Sequence, residues 1–266
     1  MSTLIWWLGK KATAIYAVLA LSYMMLPIVI VIALSFNKPP GRQNTQFSEF
    51  SFDAWTNICR DPTICGAVGE SIRIALIATL AATILGTMIA FALVRHHFRG
   101  RTSTNLLIFL PMATPEVVLG TSLLALFLNM AFIPLGFWTI LIAHIMFTTS
   151  FVVVAVKARL AGLDPRLEQA AMDLYADERT TFRYITFPLA LPGIAGAALL
   201  AFSLSFDDFI ITNFNSGTTV TFPMYVWGAA QRGIPPQVNV IATIFFVGSL
   251  LLVLIAQLIG SKRVKK

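Results

Sequence analysis

The sequence predicts an all-α membrane protein with six transmembrane helices, and three observations predict it. Of 266 residues, 57% are apolar and only 12% charged, whereas a soluble domain carries about twice that charge. Six stretches are each apolar over the roughly 20 residues that a bilayer crossing needs: about 13–36, 71–94, 106–131, 136–157, 188–212 and 238–259. The basic residues are also lopsided. With six spans, the N-terminus, the 95–105 loop, the 157–187 loop and the C-terminal tail share one side. That side holds Lys10, Lys11, Arg95, Arg99, Arg101, Lys157, Arg159, Arg166, Arg179, Arg183, Lys262, Arg263, Lys265 and Lys266. The other holds only Lys38, Arg42, Arg60, Arg73 and Arg232. Cytoplasmic loops concentrate Lys and Arg, so both termini are expected inside. Topology thus accounts for the net charge of +7, and no nucleic-acid partner is needed; the surrounding partner is membrane lipid.

Taken in order, residues 1–12 form a short basic cytoplasmic N-terminus, with Trp6 and Trp7 at the interface. The first apolar run is too long for a signal-peptide core and no small-residue cleavage pattern follows it, so it reads as a retained span. The 37–70 loop carries Trp55 and the stretch CRDPTIC. Cys59 and Cys65 form either a small disulfide, if the loop faces an oxidising compartment, or two unpaired thiols. No His accompanies them, so zinc is not expected. The third span contains Pro111 and Pro115 and should be kinked or broken. His144, in the middle of the fourth span, reads as a hydrogen-bonded packing residue before a proton relay. Pro188 and Pro192 suit the start of the fifth span. The 213–237 loop is rich in Gly, Pro and aromatics, and 260–266 is a basic tail.

The loop 158–187 is the one polar, helix-forming stretch on the inner side. Asp164 is a good N-cap and Pro165 a good first helical residue. Leu167, Ala170, Ala171 and Leu174 recur at helical spacing and make one apolar face. Asp177 can cap a second short helix carrying Phe182 and Ile185. The expectation is a pair of small amphipathic helices joined near Tyr175–Ala176. Such helices either fold back on their own chain or dock into a groove on a partner.

The stretch EQAAMDLYADERTTFRYITFP resembles the EAA loop of binding-protein-dependent ABC importer permeases. That pattern is E-A-A, three residues, G, nine residues, I-x-L-P. Here Gln169-Ala170-Ala171, Tyr175 and Ile185-Thr186-Phe187-Pro188 stand at those positions with every spacing kept. Gln169, Tyr175 and Phe187 depart from it, and Glu168 immediately precedes the motif. Tyr175 replaces a glycine that relaxes a turn, and Tyr tolerates positive φ poorly. The segments LPMATPEVVLGTSLL, SLSFDDFIIT and PMYVWGAAQRGIPPQVNVIATIFF resemble the spermidine/putrescine branch of these permeases, the second of its two permease subunits. The resemblance implies a type I ABC importer permease fold with cytoplasmic coupling helices, within a transmembrane domain 13–259. It implies a second permease of a different chain, two ATP-binding subunits and an extracytoplasmic substrate-binding protein. It places coupling to the ATPase on Glu168, Gln169, Ala170, Ala171, Asp173, Leu174 and Tyr175. No G-x-x-x-x-G-K-[ST] phosphate loop occurs, so ATP hydrolysis is expected on another polypeptide, with no catalytic residue, cofactor or metal here.

Three acids fall in or near spans: Glu116, Asp207 and Asp208. An ionised acid at a helix centre costs roughly 2.5–3.5 kcal/mol on insertion scales, so such groups face a cavity, a partner or a path. Polyamines are strings of ammonium groups, which carboxylates neutralise and aromatic faces attract. Glu116, Asp207, Asp208, Trp55, Phe206, Tyr225 and Trp227 are therefore the candidate substrate pathway. Neighbouring helical residues point about 100° apart, so only one of Asp207 and Asp208 faces a path squarely; the other is expected to pair with Arg73 or Arg232, or to touch the binding protein. Trp55 also suits an interfacial anchor. An opine, phosphonate or metal-chelate permease is the alternative reading of substrate. An ATP-independent transporter using Glu116 and His144 is the rival mechanism, and it leaves the spaced cytoplasmic motif unexplained.

Overall fold

The computed structural model describes residues 2–41, 43–130 and 133–264, and side chains between 11 and 251. The expectations for Trp6, Trp7, Lys10, Arg42 and the basic tail concern side chains outside the described ones. The chain is all-α: α1 Ser2–Ser35, α2 Asp53–Thr56, α3 Pro62–Arg95, α4 Arg101–Ala113, α5 Glu116–Asn129, α6 Phe137–Ala161, α7 Arg166–Asp173, α8 Glu178–Thr181, a π turn Phe182–Thr186, α9 Phe187–Asp207, α10 Ile210–Asn215, α11 Phe222–Arg232 and α12 Pro236–Val264. Among the described residues four helices are long and apolar enough to cross a membrane, or five if the bent α4–α5 pair is one span.

Two compact units divide the chain, Met1–Cys65 with Val226–Lys266, and Gly66–Tyr225. In the first, α1 packs on α12. The described face of α1 is apolar and open, with Tyr16 75% and Leu19 63% exposed, as suits a helix among lipid. The loop after α1 is built on Asn37, whose Nδ2 donates to Asn44 Oδ1 at 2.6 Å and whose Oδ1 accepts from the Ser48 N–H at 2.8 Å. Trp55 stacks on Phe36 at 5.2 Å between ring centroids. Cys59 and Cys65 are joined as a disulfide with Cα atoms 5.5 Å apart.

In the second unit α6 is the centre. Val152, Val153, Val156 and Leu160 of α6 pack against Ala82, Ala90 and Leu93 of α3 and Ala190, Ile194, Ala197 and Ala201 of α9. The alanines let helix axes approach without a hydrophobic drive from water, as lipid requires. Gly86 shows how close that approach is, since a Cβ there would lie 2.6 Å from Val152 Cγ1. A second cluster joins Leu119, Leu123 and Phe127 of α5 to Ala143 and Phe147 of α6 and Ile211 of α10.

Several boundaries differ from the sequence expectation, each for a local reason. The second helix begins at Pro62 rather than near 71, because Asp61 Oδ1 accepts the Thr63 N–H at 2.9 Å and Pro62 opens the first turn. The third stretch is two helices meeting at Thr114–Pro115 with a bend of 106°. The fifth does not start at its prolines. The chain is helical from Glu178 through the π turn to Asp207, so Pro188 opens α9 but not the run, and Pro192 lies inside α9. Pro188 has no N–H to give Tyr184, and the wider turn absorbs the fault, with the Phe187 N–H reaching Phe182 O. So α8 is no free second helix of a pair; it is the leading end of α9. The same run breaks at Asp208, where φ −63° and ψ 124° are extended. The loop expected over 213–237 contains α11.

Candidate functional site

Two places gather the residues singled out from the sequence. The first is α7. Asp164 Oδ1 accepts the Arg166 N–H at 2.9 Å, and the helix follows Pro165. None of its residues is buried. Leu174 is 81% exposed, and Gln169, Ala170 and Asp173 are exposed, with Ala171 half-buried. The apolar face is therefore not covered by this chain. Tyr175 takes φ 64°, so the turn keeps its left-handed conformation without the glycine. Its N–H reaches Met172 O at 3.0 Å and the Ala176 N–H reaches Ala171 O at 3.1 Å, the pairing that closes helix ends through a left-handed residue. Tyr175 itself is 99% exposed.

One side chain of α7 turns inward. The Glu168 carboxylate takes both guanidinium nitrogens of Arg95, at the end of α3, and accepts Thr186 Oγ1–H from the π turn at 2.5 Å. Burial raises the Glu168 pKa, but the hydrogen bonds from Arg95 and Thr186 and the Arg95 charge outweigh it, and the net direction is down. The pair itself lines a cavity of about 370 Å³, with Phe91, Met172, Thr181 and Phe182. Asp177 Oδ1 accepts the Thr180 N–H at 2.8 Å and caps α8. Bonding to Thr180 holds its pKa below the ordinary aspartate value. Sequence reasoning did not find Arg95 or Thr186, because nothing in a linear pattern pairs positions so far apart.

The second place is the break between α9 and α10. Asp207 ends α9, is exposed and has no ion pair among the described residues. A carboxylate at a helix C-terminus opposes the helix dipole. Asp208 is 9% exposed. It accepts the Thr212 N–H at 2.7 Å and Thr212 Oγ1–H at 2.8 Å, and lies 3.3 Å from His144 Nε2. Its partner is thus His144, not Arg73 or Arg232. Arg73 sits beside Glu70 at 3.9 Å and over the Phe137 ring, while Arg232 donates to Gly228 O at 3.2 Å. His144 is a buried, hydrogen-bonded residue, with Nδ1 2.7 Å from Ser205 Oγ.

Phe206 stacks on Phe202 at 5.9 Å and faces Phe222 at 6.3 Å; Tyr225 is half-buried on α11. Glu116 is exposed in the first turn of α5, directly after the bend. α5 packs on α10, and Gly120 permits it, since a Cβ there would meet Phe214 Cδ2 at 2.9 Å. So two breaks, each flanked by an acid, belong to helices in mutual contact. Trp55 and Trp227 belong to the other unit.

A membrane chain with one uncovered amphipathic helix and two broken helices near acids is matched by a family model described as binding-protein-dependent transport system inner membrane component, over residues 82–266. The chain belongs to that family. It is accordingly a multi-pass permease component of the inner membrane and not an enzyme. It is 39% identical over 242 residues to the spermidine/putrescine transport system permease protein PotC of Haemophilus influenzae, covering 91% of this chain and 93% of that one. With PotC of Escherichia coli K12 it shares 37% over 258 residues, 97% and 95% of the two chains. It is also 37% identical to the putrescine transport system permease protein PotI of the same strain, over 85% and 82%. In fold it is similar to a chain of a bacterial alginate ABC transporter in complex with an alginate-bound periplasmic protein, with TM-score 0.64, 16% identity and coverage of 97% and 96%.

Proposed function

We propose that this chain is one of two permease subunits of an ATP-driven importer of polyamines. The observation that carries the reading is α7: eight residues in the family's motif position, anchored by the Glu168–Arg95 pair, with Ala170 and Leu174 left open. An uncovered amphipathic helix on a rigid tether suits docking into a groove of an ATP-binding subunit. Six spans with both termini inside fit the basic residues, and put Cys59–Cys65 on the oxidising side, where a disulfide persists.

In this reading two ATP-binding subunits close on ATP and draw the α7 helices of this chain and of a different partner permease together. The membrane helices rock, and the path opens outward to accept substrate from an extracytoplasmic binding protein. Hydrolysis resets the cycle. Glu116 and Asp207 meet the ammonium groups along the path, with Phe206 and Tyr225 offering aromatic faces. Trp55 and Trp227 remain candidates, while Asp208 is buried against Thr212 and His144. The relatives named for spermidine and putrescine support a polyamine over an anion, which would call for Arg or helix N-termini.

The test is reconstitution of the chain with its native partners in proteoliposomes and measurement of ATP hydrolysis against candidate ligands. Spermidine or putrescine should stimulate hydrolysis and be taken up. Stimulation by a phosphonate or opine instead would overturn the substrate, and uptake by this chain alone without ATP would overturn the mechanism.

A further inference from the structure

The two-residue joint between α9 and α10 is bridged by one side chain from a neighbouring helix. α9 ends at Asp207 and α10 begins at Ile210, so the helix is interrupted between them. His144 comes from α6 and is 2% exposed. Its Nδ1 lies 2.7 Å from Ser205 Oγ, in the last turn of α9, and its Nε2 lies 2.9 Å from Thr212 Oγ1, in the first turn of α10. One imidazole therefore holds both sides of the joint.

Counting protons assigns each bond. Thr212 Oγ1 has one hydrogen, and it goes to Asp208 Oδ2 at 2.8 Å. That oxygen can then only accept, so Nε2 carries the hydrogen facing it. In the neutral ring Nδ1 accepts the Ser205 hydroxyl proton. Asp208 is further met by the Thr212 N–H at 2.7 Å and the Ile211 N–H at 3.4 Å. Its negative charge is spoken for inside the protein, and a buried carboxylate so satisfied is a poor ligand for a passing cation. Asp207, next to it, is exposed and outside this network.

We propose that the adjacent acids divide the work: Asp207 is the ammonium ligand, and His144, acting through Asp208 and Thr212, is the positioning residue that fixes the α9–α10 joint and so aims Asp207. This rests on the reading of Asp207 as a pathway acid. The relevant contact is the one on the Nε2 side. An Asn side chain reaches only as far as Nδ1, whereas Gln reaches the Nε2 position, so the two amides separate the two halves of the clamp.

The experiment uses the assembled transporter in proteoliposomes, with saturating spermidine-loaded binding protein, and reads spermidine moved per ATP hydrolysed. That ratio is indifferent to how much transporter folds. His144→Asn should lower it about tenfold, the value of one lost hydrogen bond to a charged group, and His144→Gln should lower it less than about threefold on the same scale. Asp207→Asn should lower it alone and add nothing in the His144→Asn background. No change from Asp207→Asn alone would overturn the pathway reading. With that loss present, equal values for His144→Asn and His144→Gln, or additive losses in the double variant, would overturn the clamp.

Discussion

Reversing the Arg95–Glu168 pair tests what holds α7 in place. The helix has eight residues and none is buried, and an isolated helix that short does not persist in water. Its attachment is the two-toothed Arg95–Glu168 contact, reinforced by Thr186. The Glu168 side chain is 16% and the Arg95 side chain 34% exposed. Such a pair is stronger than an open surface bridge, but water still screens the arginine, and about 1–2 kcal/mol is a fair value for it. Losing it shifts the docked population of α7 by roughly 5–30-fold. Hydrogen exchange of the amides of residues 166–173 should speed up by that factor in Glu168→Arg and in Arg95→Glu, and return close to wild type in the double reversal. Polyamine uptake should follow the same order. Because the carboxyl's pKa is lowered by folding, its contribution is complete above the ordinary glutamate value of about 4.3. It is lost as pH falls through the lowered value, so the tether should weaken only in acid. If the double reversal stays as fast as either single change, Glu168 answers to a group other than Arg95, and the tether is wrong.

Ala170→Asp places a charge on an exposed position, so insertion of the chain into membranes should be unchanged; uptake should be abolished, because the same charge would be buried once a partner docks. Glu116→Gln with Asp207→Asn should cut polyamine uptake several-fold while co-purification of the ATP-binding subunits is kept. Tyr175→Gly should relieve a left-handed residue whose side chain touches almost nothing, slowing amide exchange in α7 by a gain of at most about 1 kcal/mol. Slower exchange is the expected sign; faster exchange would show that the tyrosine ring stabilises the turn.

The local signals in the sequence were legible where one residue settles the backbone. Asp177 caps its helix, Asp164 accepts the Arg166 N–H ahead of α7, where Pro165 takes the cap position, and Pro115 follows a break. Tyr175 bends where a glycine was expected. Pro188 marks the start of α9, but nothing in ITFP shows that a π turn joins α9 to the helix before it. The site's long-range partners were hidden for a simpler reason. His144 meets Ser205 and Thr212, and Glu168 meets Arg95, across sequence separations that periodicity does not report. Asp208 bonds Thr212 four residues on, but its burial against His144 has no local signal.

The central claim is that α7 is the contact between this chain and a nucleotide-driven partner. A photo-reactive residue in place of the exposed Gln169, activated in living cells, measures that contact directly. The account predicts one dominant adduct, with an ATP-binding subunit, dependent on an unaltered Ala170. Adducts only with lipid or with this chain itself would contradict it.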